Sequence, residues 1–261
     1  MGAADMAVID LDRDADLVSL VEAYQLRLNA LADQAAAMIR DAFLSLPEVR
    51  DHLLADFIKE ASMIVDAARL EGADLATGLV MELAGTMPKP VDLVFGAVDL
   101  DAPFLRTWHQ LAEGQPFPDA RLSGASEAER LGSNAAHDGA NNRMAHTGLR
   151  VVGARRVLSP NACEWCQVVS VQRYRSVESA SFGHGGAHNK KNCKCTAVAI
   201  YGKRDPGLTL NKRRYAELKA SGGVKRVNEG IRAPKPSRSP QLPPGTDTTD
   251  PRVQRLLNLE F

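Results

Sequence analysis

Apolar residues recur in alternating steps of four and three from Leu17 through Val21, Tyr24, Leu28, Leu31, Ala35 and Met38 to Ala42. That period predicts one long amphipathic helix over 17–46, capped at its start by Asp14 or Asp16 and ended by Pro47. The heptad-like stripe reads as the seam of an intramolecular bundle, with an intermolecular coiled coil as the alternative. Val49, Leu53, Phe57, Ala61, Ile64 and Ala68 repeat the pattern and predict a second helix over about 48–70, interrupted at Gly72. A shorter third helix follows over 74–83 and stops near Gly85. Residues 85–104 hold Pro88, Pro90 and Pro103 and read as a short strand or an irregular packed segment. A helical turn over 104–112 and a loop over 113–124 come next. Ser126 and Glu129 then form a capping-box pattern that opens a helix over 126–147, with Gly148 as its C-cap.

Beyond Gly148 the period shortens. LRVVGARRVL (149–158) and CTAVAIYG (195–202) read as strands, and LNKRRYAELKAS (210–221) as one amphipathic helix ended by Gly222-Gly223. Six prolines among Ser, Thr and Gly over 233–251 mark a linker, followed by the apolar closing stretch PRVQRLLNLEF.

The chain has 261 residues, 44% of them hydrophobic but only 5% aromatic, which favours helices. No apolar run is long enough to span a membrane. The opening MGAADMAVIDLDRDAD has neither the basic nor the apolar region of a secretory signal, so the cysteines are expected in a reducing compartment. Net charge is zero yet polarised: −11 over residues 1–100, +6 over 146–202 and +8 over 203–238. An acidic front and a basic back point to two different partners.

All four cysteines lie in one stretch, as Cys163-x-x-Cys166 and Cys193-x-Cys195, with His184 and His188 shortly before the second pair. A Cys-x-x-Cys turn brings two thiolates close enough to share a tetrahedral ion, and a second cluster behind a Gly-rich loop can close the other half. Four soft ligands favour zinc over hard cations. Two disulfides or unliganded thiols are the plainer readings. A redox Cys-x-x-Cys is disfavoured, because such a motif normally opens a helix after a core strand and needs no second cysteine cluster. The fold class that results is α+β: a mainly helical N-terminal region, a small zinc-knuckle or ribbon-like β module, and a flexible basic C-terminal tail. Its units are a helical hairpin or bundle over 1–84, an irregular segment and helix over 85–148, the metal-binding β module over 149–202, and the basic helix and Pro-rich tail over 203–261.

RRVLSPNACEWCQVV, YRSVESAS and HNKKNCKCTAVAIY together resemble the C-terminal module of MuF-like minor capsid proteins. These are head-morphogenesis proteins of tailed bacteriophages, especially phages of actinobacteria. In that module an arginine-bearing strand leads to a Cys-x-x-Cys turn. A Tyr–Ser segment follows, then a His-x-x-Cys-x-Cys element running into a strand. These elements fall here on Arg155, Arg156, Cys163, Cys166, Tyr174, Ser176, Cys193 and Cys195, within about residues 150–202. One departure stands out: Lys190 occupies the place of the family histidine, and His188 comes two residues earlier. Cys163, Cys166 and Cys193 are thus the firmest zinc ligands, with Cys195 and His188 competing for the fourth place and His184 behind them.

The resemblance implies a structural, non-enzymatic protein, present at low copy inside the capsid near the portal. It would be assembled in the host cytoplasm and can leave with the DNA. Portal, major capsid or scaffold protein would be its partners. The basic residues Lys203, Arg204, Lys212, Arg213, Arg214, Lys225 and Arg226 would meet phosphates of packaged double-stranded DNA without reading sequence. Two rivals share the same residues. A treble-clef or HNH nuclease needs a histidine base and a further metal-binding His or Asp on a downstream helix, both missing from the sequence as read. A zinc-ribbon nucleic-acid-binding module would prefer some sequence or structure. No catalytic triad, phosphate-binding glycine loop or paired carboxylates accompany the cysteines.

Overall fold

The computed structural model describes residues 3–160, 162, 164–181, 194–203 and 205–220. The elements in chain order are α1 (Ala3–Ser45), α2 (Asp51–Ala84), α3 (Ala102–Ala112), α4 (Phe117–Ala145), β1 (Gly153–Val157), α5 (Glu164–Val169), β2 (Arg173–Tyr174), α6 (Val177–Ser181), β3 (Thr196–Ile200) and α7 (Pro206–Ala220). The fold is α+β and mostly helical: α1, α2 and α4 pack on one another, α3 packs on α4, and a three-stranded antiparallel sheet of order β2-β1-β3 sits beside them. α6 covers that sheet, while α7 packs on both α1 and β1. Among the described residues no helix is long and apolar enough to cross a membrane.

The long stripe on α1 becomes a buried face, but not with strict heptad spacing. Val21, Tyr24, Leu28, Leu31, Ala35 and Ala42 are buried, whereas Met38 is exposed and Ile39 takes its place. A straight helix turns every 3.6 residues, so a 3.5-residue stripe drifts off the core within a few turns. Phe43 at the end of α1, Phe57 of α2 and Phe104 of α3 then form a triangle with ring centroids 5.5 to 5.6 Å apart. Trp108 closes on Phe104 edge-on at 5.8 Å. One apolar core runs from these rings through the bundle to Ala154, Val157 and Val198 of the sheet.

Several boundaries differ from the sequence reading. α1 begins at Ala3 and not near Leu17. α2 runs unbroken through Gly72 to Ala84, where the two-helix reading placed an interruption. Gly72 is kept for proximity: a Cβ there would collide with the backbone carbonyl of Ala136 in α4. The C-cap is Gly85, whose φ of 67° lets its N–H reach the Met81 carbonyl. α4 starts at Phe117 inside the expected loop, because Pro118 sits in its first turn, where a missing N–H costs nothing. Ser126 is thus an interior residue and not an N-cap. α4 ends at Ala145 with His146 as its C-cap, and Gly148 (φ 64°) serves the turn after it. Residues 86–99 are irregular and strapped to the bundle by their backbone: Lys89 N–H donates to the Thr147 carbonyl at 3.0 Å, and Asn142 Nδ2 to the Val94 carbonyl at 2.8 Å.

Candidate metal centre

β1 and β3 pair antiparallel from Gly153↔Ile200 to Val157↔Thr196. One residue beyond that register, Leu158 leaves β1 and Cys195 enters β3. The chain from Leu158 turns at Ser159–Pro160 and enters α5, which carries Cys166. Leu158, Ala162, Cys166 and Cys195 thereby form a small buried cluster of their own, separate from the main core. One cysteine from each arm of the motif is present in it, and both are fully buried.

Cys195 is buried but meets two polar groups of Ser159. The Ser159 N–H donates to Cys195 Sγ at 3.3 Å, and the Ser159 hydroxyl lies 3.7 Å from the same sulfur. Donors aimed at sulfur favour its charged form, and burial opposes it. Arg156 is fully buried on β1, and alternation along the paired strands puts it on the face shared by Ala154, Ala197 and Cys195. Tyr174, paired with Ala154, has its phenol pushed above the usual range by burial. Arg156 opposes that shift and Cys166 reinforces it, so cation, phenol and thiol share one neighbourhood.

The turn between β1 and α5 is held from α7. Asn211 is fully buried. Its Oδ1 accepts the Leu158 N–H at 2.8 Å, while its Nδ2 donates to the carbonyls of Arg156 and Ser170, each at 2.8 Å. Arg155, on the opposite face of β1, pairs with Asp205 at the start of α7 through Nη2 at 2.5 Å and Nε at 3.0 Å, and its Nη1 donates to the Val171 carbonyl. α1 reaches the other arm: Gln25 Nε2 and Asn29 Nδ2 both donate to the Lys194 carbonyl. None of Gln25, Asn29 or Asn211 was singled out by motif or spacing. Polar residues inside helical runs look like solvated positions, and only their placement on the apolar side of the helical period marks them as buried.

Of the expected ligands, Cys166 and Cys195 are brought together, whereas Cys163, Cys193, His184 and His188 lie outside the described residues. No group of three or more ligating side chains gathers among the described residues. One argument against redox chemistry loses its force, since Cys166 does sit in a helix that follows a buried strand. The remaining argument is the second arm, whose Cys195 shares a buried cluster with Cys166. The argument against a nuclease also changes in part. A helix, α7, does follow β3, but PGLTLNKRRYAELKA contains no histidine.

Of the basic residues, Lys203 and Lys212 are exposed, and Arg213 is half-exposed beside Glu22 at 2.7 Å. Arg214 needs correction as a phosphate contact. It is buried, with its guanidinium on Gln25 Oε1 and, at 3.1 Å, on Glu22. The amphipathic period of α7 turns this arginine inward, where it ties α7 to α1. Arg204, Lys225 and Arg226 lie outside the described residues. The hydrogen bond from Arg213 is the main reason the Glu22 carboxyl sits below its ordinary range, with Arg214 adding to it and burial opposing.

A cleft of about 340 Å³ between the bundle and α6 is lined by Arg69, Phe95, Asp138, Asn141, His146 and Glu178. Arg69 stacks over Phe95 at 5.1 Å and donates to the Gly96 carbonyl at 2.7 Å, which anchors the 86–99 strap. Burial pushes the Asp138 carboxyl up, against the pull of Arg69. No family model, curated protein or solved structure matches this chain.

Proposed function

We propose that this chain is a non-enzymatic minor capsid protein of a tailed phage, held inside the head near the portal, with a structural zinc ion stapling its cysteine module. The observation that carries the reading is the meeting of Cys166 and Cys195. The two arms of the motif are far apart in sequence, and a buried strand pair brings one sulfur from each into a single cluster, with an N–H aimed at one of them. Cys163 and Cys193 lie three and two residues from Cys166 and Cys195 in sequence, and with them the site would hold four thiolates. The zinc's part is structural: four thiolates leave no open position for a substrate. The resemblance over residues 150–202 supplies the capsid role, and the helical front would then face portal or scaffold.

Two measurements test this. Zinc-loaded protein is incubated with supercoiled plasmid and magnesium at low and moderate salt. The plasmid stays uncut, is shifted at low salt and is released at moderate salt. Nicking that disappears in His188→Ala overturns the structural reading in favour of the nuclease. Quantitative mass spectrometry of purified virions of the encoding phage finds the chain at low copy. Its absence from virions overturns the capsid role.

A further inference from the structure

Gln25 and Asn29 stand one turn apart in the middle of α1, and both are buried, at 1% and 8% exposed. Both amides point at the residue between the last two cysteines. The Lys194 carbonyl accepts from Gln25 Nε2 and from Asn29 Nδ2, each at 3.3 Å. Gln25 Nε2 also lies 3.0 Å from the Val157 carbonyl and 2.9 Å from the Thr196 hydroxyl. One side chain of α1 therefore touches the last residue of β1, the first of β3 and the backbone that carries Cys195. Its orientation is fixed from behind, since Arg214 of α7 donates to Gln25 Oε1. The Lys194 side chain adds a further link to α1 through Asp33 at 2.5 Å.

The peptide plane that contains the Lys194 carbonyl also contains the Cys195 nitrogen. Fixing that oxygen fixes the direction in which Cys195 leaves the chain. We propose that Gln25 and Asn29 are positioning residues for the metal: α1 fixes the Lys194–Cys195 peptide, and with it Cys195, before the ion binds. Residues 165 and 169 positions away in sequence would then set the ion's affinity. The inference rests on the zinc reading above. Groups around a metal that orient its ligands typically change affinity ten- to a hundredfold when removed. Linkage makes the effect reciprocal, so that zinc tightens the docking of the sheet on α1 by as much as that docking tightens zinc.

The test compares zinc affinity by competition with a chromophoric chelator, using the full chain and three variants. Gln25→Glu keeps the size of the side chain and its acceptor for Arg214 but removes the amide donor. Asn29→Ala removes the second donor at a less central site. Phe104→Leu weakens the core far from the cysteines and reports general destabilisation. Wild type is expected to bind one zinc. Gln25→Glu weakens it by about tenfold or more, Asn29→Ala weakens it less, and Phe104→Leu lowers the melting temperature with zinc affinity unchanged. Cobalt substitution gives a second readout, with the bands of a tetrahedral thiolate site altered in Gln25→Glu. Should Gln25→Glu fail to fold, Asn29→Ala carries the comparison. Unchanged affinity in both amide variants overturns the inference and leaves the zinc reading standing. An equal loss in Phe104→Leu also overturns it, by showing that stability alone is being read. A wild-type chain that binds no zinc overturns both.

Discussion

Gly139 and Gly78 lie in helices of the same bundle, yet the same substitution should move them in opposite directions. A Cβ on Gly139 of α4 would collide with the Arg69 carbonyl of α2, a backbone atom that cannot swing away. Gly139→Ala is expected to destabilise the fold by about 1–3 kcal/mol through overpacking. Gly78 of α2 has nothing within 4 Å of where its Cβ would stand. Gly78→Ala should stabilise by about 0.5–1 kcal/mol, the difference in helix propensity. Urea denaturation of both variants checks the pair. The cysteine spacing singled out Cys166 and Cys195, and the fold places both in one buried cluster. The uses of Gln25, Asn211 and Arg214 were not legible. Each depends on which face of a helix meets the sheet, and no local pattern encodes that. Gly72 shows the same limit: a helix breaker by propensity proved to be a contact point between two helices.

Elements were legible wherever the apolar period was long, as in α1 and the first part of α2, and less so where small residues replaced large ones. α4 buries mostly alanine and glycine, so its start had to be judged from Pro116 and Pro118, which read equally as loop. The link between α1 and α7 gives a prediction on pH. Glu22 is held below its ordinary range chiefly by Arg213. Its contribution to stability is therefore complete above the ordinary carboxylate range and is lost as pH falls through the lowered folded value. Acid unfolding followed by circular dichroism should show a shallower acid limb in Glu22→Gln than in wild type. A second prediction concerns the other anchor of α7. Arg155 is 5% exposed and its partner Asp205 18%. Asp205→Ala leaves that guanidinium without its carboxylate, with only the Val171 carbonyl remaining, and should cost about 3 kcal/mol, read by urea denaturation.

At the scale of the whole molecule, charge polarity survives folding in altered form. The basic run over 203–220 does not act as one surface: Arg214 is spent inside, Arg213 is shared with Glu22, and Lys203 and Lys212 face solvent. Reversing Lys203 and Lys212 to glutamate should weaken DNA binding equally on unrelated sequences and flatten its salt dependence by about one unit of slope per lost phosphate contact. Fragment-dependent loss would favour the zinc-ribbon alternative. The sheet and bundle share one core, and their hydrogen-bonded seam at Gln25 makes the cysteine module part of the helical body.

The claim on which the rest depends is that the two cysteine arms close on a metal ion. Native mass spectrometry of the full chain, purified under reducing conditions with zinc present, addresses it directly. One zinc per chain is expected, with the cysteine protons released, and that zinc is lost from Cys166→Ser and Cys195→Ser. A chain that carries no zinc, or that keeps it when Cys195 is replaced, would contradict the account.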